Sequence, residues 1–210
     1  MIKAVIFDLD GVIVSTDDLH FHAWKKIADQ EGIPFDQHMN HQLRGVSRME
    51  SLDIILKQAS KPYTEQEKRA LAEKKNADYV QMLNQLSPKD ILPQVMDLIR
   101  FLKEKHVMIA IGSSSKNTAK ILKQIGLDQT FDQVADGNDI TQSKPAPDVF
   151  LVAAEKLKVE PKYCLVVEDA IAGVEAAKAA GMKCVAVSDA IKSPLADYRF
   201  HHLLEIKNLI

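Results

Sequence analysis

The feature that most constrains the fold is a set of short apolar runs, rich in valine and isoleucine, that do not alternate with polar residues. They are KAVIF (3–7), VMIAIG (107–112), FDQVAD (131–136), CLVVE (164–168) and KCVAVS (183–188). A strand with one face in water shows a period of two; a strand buried on both faces reads as a continuous apolar run. Helical patterns lie among the later runs. PQVMDLIRFLKEKH precedes the second and KNTAKILKQIG follows it; DVFLVAAEKLK precedes the fourth and AIAGVEAAKAAG follows it. Strand–helix alternation of this kind predicts an α/β fold, a doubly wound and mainly parallel Rossmann-like sheet.

Residues 16 to 87 break the alternation. They contain no strand-like run and read as helices: DDLHFHAWKKIADQEG, ESLDIILKQAS and TEQEKRALAEKKNADYVQMLNQL. The last opens with Thr64 and Glu67 at capping-box spacing. This stretch is expected to be a helical cap inserted between the first two strands. The division is then a core of residues 1–15 and 88–210 and a cap of residues 16–87, with linkers near Ser15–Thr16 and SPKDILP (87–93).

Composition excludes several classes. A net charge of −2 gives no general footprint for nucleic acid. No apolar stretch is long enough to span a bilayer, and MIKAVIFDLDG lacks signal-peptide architecture. The two cysteines, Cys164 and Cys184, sit in apolar runs without metal-type spacing and read as buried thiols in a reducing compartment. A cytoplasmic monomer without membrane or nucleic-acid partners is expected.

Four positions carry the chemistry, each at or beyond the carboxyl end of a proposed strand, where ligands bind in open α/β sheets. Asp8 and Asp10 end the first strand, and Gly11 begins a turn that brings both carboxylates toward one site. Like charges so close call for a cation or a shared proton. GSSSKN (112–117) offers hydroxyls and successive backbone N–H groups to an anion, or simply caps the next helix. Lys144 stands in the proline-stiffened loop SKPAPDVF, either as a point charge for phosphate or as a solvent-facing lysine. Glu168 and Asp169 end the fourth strand, and with Asp8 would complete an oxygen-rich site suited to magnesium. Together these residues imply phosphoryl transfer to or from a carboxylate.

With DLDG (8–11), IGSSS (111–115), Lys144 in SKPAPD and ED (168–169), in this order, the chain resembles the haloacid dehalogenase-like hydrolase superfamily. HFHAW (20–24), RGVSRMESL (44–52) and KKNADYV (74–80) narrow the resemblance to its mutases that exchange β-glucose 1-phosphate and glucose 6-phosphate. The resemblance implies that Asp8 is the nucleophile and becomes an aspartyl phosphate. Asp10 is then the general acid/base, with its backbone carbonyl on magnesium, and Asp169 is a metal ligand supported by Glu168. Ser113, Ser114 and Lys144 would hold the transferring phosphoryl group. Arg48, Ser115, Lys116 and Asn117 would grip the second phosphate of a hexose bisphosphate. Thr16, His20 and Lys75 would couple cap closure to Asp10 and to the sugar, and Arg44, Gly45, Val46 and Ser47 would line the sugar site. Trp24 joins this set, although its apolar helix face also suits the core. Arg44 departs from the family pattern, which has lysine before Gly-Val-Ser, and SPLADYRFHHLLEIKNLI at the end does not match the expected glycine-containing segment. A sugar-phosphate phosphatase of the same fold is the main alternative; a dehalogenase and a non-catalytic binding module fit the motifs less well.

Overall fold

The computed structural model describes residues 1–210. Six strands form one sheet in the order β3-β2-β1-β4-β5-β6, every pair parallel. They are β1 (Ala4–Phe7), β2 (Met108–Gly112), β3 (Gln133–Ala135), β4 (Cys164–Glu168), β5 (Lys183–Ala186) and β6 (Tyr198–Arg199). Five match the apolar runs. β6 is additional: its two residues are too short for any periodicity to register, and pairing of Val185 with Tyr198 makes it a strand.

The missing alternation has a simple cause. Val5 and Phe7 of β1 pack on one side with Leu98 and Leu102 of α5 (Val95–Glu104) and Ile121 and Leu122 of α6 (Thr118–Gln124). Ala4 and Ile6 pack on the other with Phe150 and Ala153 of α7 (Asp148–Leu157) and Val174 and Ala177 of α8 (Ile171–Ala179). Neighbouring residues of one strand thus enter two different cores, and both must be apolar. The strand order places β1 between β2 and β4, so Asp8 emerges where the chain's crossovers diverge to the two sides, the usual ligand position in such sheets.

Between β1 and β2 come α1 (Asp17–Gln30), α2 (Gln37–His41), α3 (Arg48–Leu56) and α4 (Glu65–Met82). They surround a third cluster that includes Trp24, Ile27, Phe35, Leu52, Ile55 and Ala72. Capping boxes start both α3, from Ser47 and Glu50, and α4, from Thr64 and Glu67. The two segments that join these helices to the sheet run side by side: Val14 bridges Ile91, and Leu92 N–H donates to the Ile13 carbonyl at 2.9 Å. No helix is long and apolar enough to cross a membrane.

Candidate active site

A cavity of about 820 Å³ lies between the carboxyl edge of the sheet and the inserted helices. Its floor is made by strand ends. Asp8 follows β1, and its backbone N–H donates to the Val167 carbonyl, which fixes it against β4. Lys144 lies between two carboxylates, bonded to Asp8 Oδ1 and, at 2.9 Å, to Glu168 Oε2. It is 1 % exposed, so the solvent-facing reading of this lysine does not hold. Although burial opposes its charge, the adjacent Asp8 and Glu168 outweigh burial and hold its pKa above the usual lysine range.

The floor has more acid than base. Carboxylate oxygens of Asp8, Glu168 and Asp169 all lie within 4.8 Å of one another. Burial, reinforced by the Asp8 charge, pushes Glu168 up to about 7; burial and the Glu168 charge push Asp169 up to about 9. Oxygen-only donors, crowded and removed from water, fit a small hard dication, which would relieve this repulsion. Glu168 uses Oε2 on Lys144 and Oε1 on the Ala170 N–H, so it braces the cluster as well as belonging to it. Gly11 leaves room for Asp169: its φ is +87°, and a Cβ there would fall 2.1 Å from Asp169 Oδ2.

The serine segment does not cap a helix by side chain. Helix α6 begins after Asn117, whose side chain makes no cap. Ser113 Oγ accepts from the Ser115 N–H, and Ser115 Oγ accepts from the Asn117 N–H, both at 3.1 Å. Ser114 Oγ is buried without a partner at the edge of the cavity, which suits an anion that brings its own acceptors. Asn117 Nδ2 donates to Asn76 Oδ1 of α4 at 3.0 Å, a direct link between the sheet side and the inserted helices.

Asp10 belongs to the floor by sequence and to the opposite wall by contact. The Thr16 N–H donates to Oδ1 at 2.7 Å, and the Thr16 hydroxyl donates to Oδ2. Thr16 precedes α1 but does not cap it by side chain, because its hydroxyl is committed to Asp10. Burial pushes Asp10 up to about 6 despite these hydrogen bonds, close to the range that serves proton transfer at neutral pH.

The wall is built from two helix faces that interlock. His20 and Trp24 stand one turn apart on α1, and Lys75 and Tyr79 one turn apart on α4. Lys75 Nζ lies 2.7 Å from His20 Nδ1 and 4.8 and 4.5 Å from the ring centres of Trp24 and Tyr79. With Lys75 as the donor to Nδ1, the His20 ring proton sits on Nε2, which lies 3.7 Å from Asp10 Oδ2. Burial pushes Lys75 well below an ordinary lysine, with nearby Arg48 adding to the effect. Burial, followed by Lys75 and Arg48, likewise pushes His20 well below its usual value.

Trp24 is both core and lining, as it is 2 % exposed and still touches the cavity. Gly45, Val46, Ser47, Arg48 and Lys116 line the cavity too. Gly45 has φ +77°, and a Cβ there would come within 3.2 Å of Ala170 Cβ. The Ser47 hydroxyl is engaged in capping α3. Arg44 is held away from a free role: its guanidinium binds Asp17 of α1, and its Nη1 donates to Asp189 of the 3₁₀ turn after β5 at 2.8 Å. Sequence reading passed over Tyr79, Asn76, Asp17 and Asp189. The position of Tyr79 four residues after Lys75 was the available signal for the first; nothing local marked the others.

A family model described as haloacid dehalogenase-like hydrolase matches residues 2–181. The chain belongs to this family. A β-phosphoglucomutase of Bacillus subtilis is 46% identical over 187 residues, 88% of this chain and 83% of that one. A phosphorylated carbohydrates phosphatase of Thermotoga maritima is 31% identical, over 86% of this chain and 82% of the relative. Among solved structures of the family, a β-phosphoglucomutase from Clostridium difficile superimposes with a TM-score of 0.92 at 37% identity, covering 99% of this chain and 96% of the other. The parallel sheet with inserted helices is therefore the family fold.

Proposed function

We propose that this chain is a β-phosphoglucomutase: it interconverts β-glucose 1-phosphate and glucose 6-phosphate through an aspartyl phosphate on Asp8 and a glucose 1,6-bisphosphate intermediate. The observation that carries the reading is the wiring of Asp10. A carboxylate poised near neutral pH is bonded to Thr16 and faced by His20, which Lys75 backs from a different helix. Transfer from a sugar hydroxyl and back again needs a proton carrier that registers the sugar's arrival, and helices on the far side of the cavity supply that dependence.

The core is residues 1–15 and 88–210 and the cap is residues 16–87, hinged on the paired segments around Val14 and Ile91. Asp8 attacks phosphorus; an O–P bond to Asp8 forms as the bond to the departing oxygen breaks. Lys144, Ser113 and the unpartnered Ser114 hydroxyl receive the phosphoryl oxygens. Asp10 protonates the departing sugar oxygen and later removes the proton from the attacking hydroxyl, so the two half-reactions together return it to its starting state. Magnesium held by Asp8, Asp169 and the Asp10 carbonyl, with Glu168 behind them, would neutralise charge on the transferring group. Arg48, Lys116 and Asn117 grip the second phosphate. Closure of the cap keeps water from the aspartyl phosphate.

Sugar-phosphate hydrolysis is the second reading, favoured by the 31% identical phosphatase. The test supplies β-glucose 1-phosphate, magnesium and a trace of glucose 1,6-bisphosphate. Glucose 6-phosphate is the expected product; free phosphate in stoichiometric yield without it would overturn the mutase reading.

A further inference from the structure

Tyr79 is the residue of the wall to which no motif gives a task, yet it touches every member of the Asp10 wiring on the cap side. It is 1 % exposed. Its hydroxyl lies 2.9 Å from Thr16 Oγ1, its ring lies 4.2 Å from that of His20, and Lys75 Nζ lies over its face. The direction of the hydrogen bonds follows from the donors available. An ionised carboxylate only accepts, so the single Thr16 hydroxyl proton goes to Asp10 Oδ2. The Thr16 oxygen is then free only to accept, and Tyr79 must donate to it. The chain runs from Tyr79 O–H to Thr16 Oγ1, and from Thr16 O–H to Asp10 Oδ2.

We propose that Tyr79 is a positioning residue for the proton carrier, acting through Thr16 to hold Asp10 in its working orientation and tying that orientation to the place of α4. The proposal rests on the reading of Asp10 as general acid/base. The Thr16 backbone N–H reaches Oδ1 whatever the side chains do. One contact on Oδ1 leaves the carboxyl group free to rotate; the second, on Oδ2, fixes its plane. The second contact requires the Thr16 hydroxyl to point at Asp10, and the tyrosine donor disfavours its other rotamers.

The substitution Tyr79→Phe removes the hydroxyl and keeps the ring that packs on His20 and Lys75, so the fold and the cap contacts are retained. Two substrates separate positioning from general damage. A sugar oxygen departs as a poor leaving group and needs a proton from Asp10. The nitrophenolate of p-nitrophenyl phosphate departs unaided, so its first-turnover release reads phosphoryl transfer to Asp8 alone. In Tyr79→Phe, kcat for glucose 6-phosphate formation should fall about 3- to 10-fold, the scale of one lost hydrogen bond, with KM within about twofold. The nitrophenolate burst should keep its wild-type rate. In a Thr16→Val background the same substitution should cost nothing more, since the path through Thr16 is already cut.

Equal loss on both substrates, no loss on either, or a loss that adds fully to that of Thr16→Val would each overturn the proposal. Wild-type protein run alongside tests the underlying reading independently. If it yields free phosphate and no glucose 6-phosphate, the mutase assignment fails, and the same split, read on phosphate release from the sugar, still decides the role of Tyr79.

Discussion

The floor of the cavity collects acids and its wall collects bases, and the two are held by different means. Asp8, Glu168 and Asp169 project from strand ends whose register is fixed by parallel pairing, so their mutual distances are a property of the sheet. His20, Trp24, Lys75 and Tyr79 project from α1 and α4, and their distances depend on how two helices pack. Burial raises Glu168 and Asp169 and lowers His20 and Lys75, so these groups on both sides resist their charged forms. The floor can be relieved by a cation. The wall can be relieved only by an anion or by staying neutral. A phosphorylated sugar with magnesium would bring the charge each side lacks, and Asp10 stands where the two meet.

The comparison predicts that floor and wall substitutions separate by reaction step. Asp8→Asn should have the largest effect, since Asp8 is the proposed nucleophile and loss of a nucleophile lowers kcat by as much as roughly 10⁶-fold in covalent enzymes. Intact-protein mass spectrometry after mixing with glucose 1,6-bisphosphate should show no added phosphoryl group. Asp10→Asn should cut turnover on the sugar by about 10²–10⁴-fold while nitrophenolate is still released in a first-turnover burst. An equal loss of both would place Asp10 with the floor and dissolve the distinction.

The same difference explains what could be read from the sequence. Floor residues follow apolar runs directly, so locating the strands located Asp8, Ser113, Glu168 and Asp169 together, and the parallel sheet brought them to one edge. The wall was legible only in part. His20 and Lys75 stood out through motif resemblance, while Tyr79, on the same face of α4, looked like an ordinary buried aromatic. Asp17, Arg44 and Asp189 come together from three distant segments, and no local spacing encodes such a meeting. Likewise β6 depends on pairing with β5 and carries no periodicity of its own.

A third prediction sets stability against activity at the wall. Lys75→Met should lower turnover roughly 10- to 100-fold, the scale for a group that orients a catalytic side chain, and should raise the melting temperature at pH 7. The sign follows from proton counting. With its folded pKa well below 10.5, Lys75 gives up a proton on folding, so between the two pKa values the unfolded chain binds more protons and stability rises with pH. The gain from methionine should therefore shrink as pH approaches 10.5. Melting curves of both proteins at several pH values check it, and a gain that is constant or grows with pH would mean that Lys75 is not held below its ordinary range.

The smallest effect is expected where cap and core meet through a partly exposed ion pair. Arg44 carries the Asp17 carboxylate of α1 on one side and Asp189 beyond β5 on the other, and His41 Nδ1 lies 3.7 Å from the same Asp189 oxygen. These groups are partly exposed, where an ion pair contributes about 0.2–1 kcal/mol. The link to Asp189 must lengthen if the cap swings away from the sheet, so it favours the closed arrangement by that amount and no more. Asp189→Asn should raise KM for the sugar phosphate by about 1.5- to 5-fold at low ionic strength, with kcat nearly unchanged. The difference should vanish near 1 M salt, where the screening length is about 3 Å. If the rise in KM persisted at high salt, Asp189 would be acting through shape and hydrogen bonding, and the cap would owe its position to packing, as at Gly45 against Ala170, more than to charge.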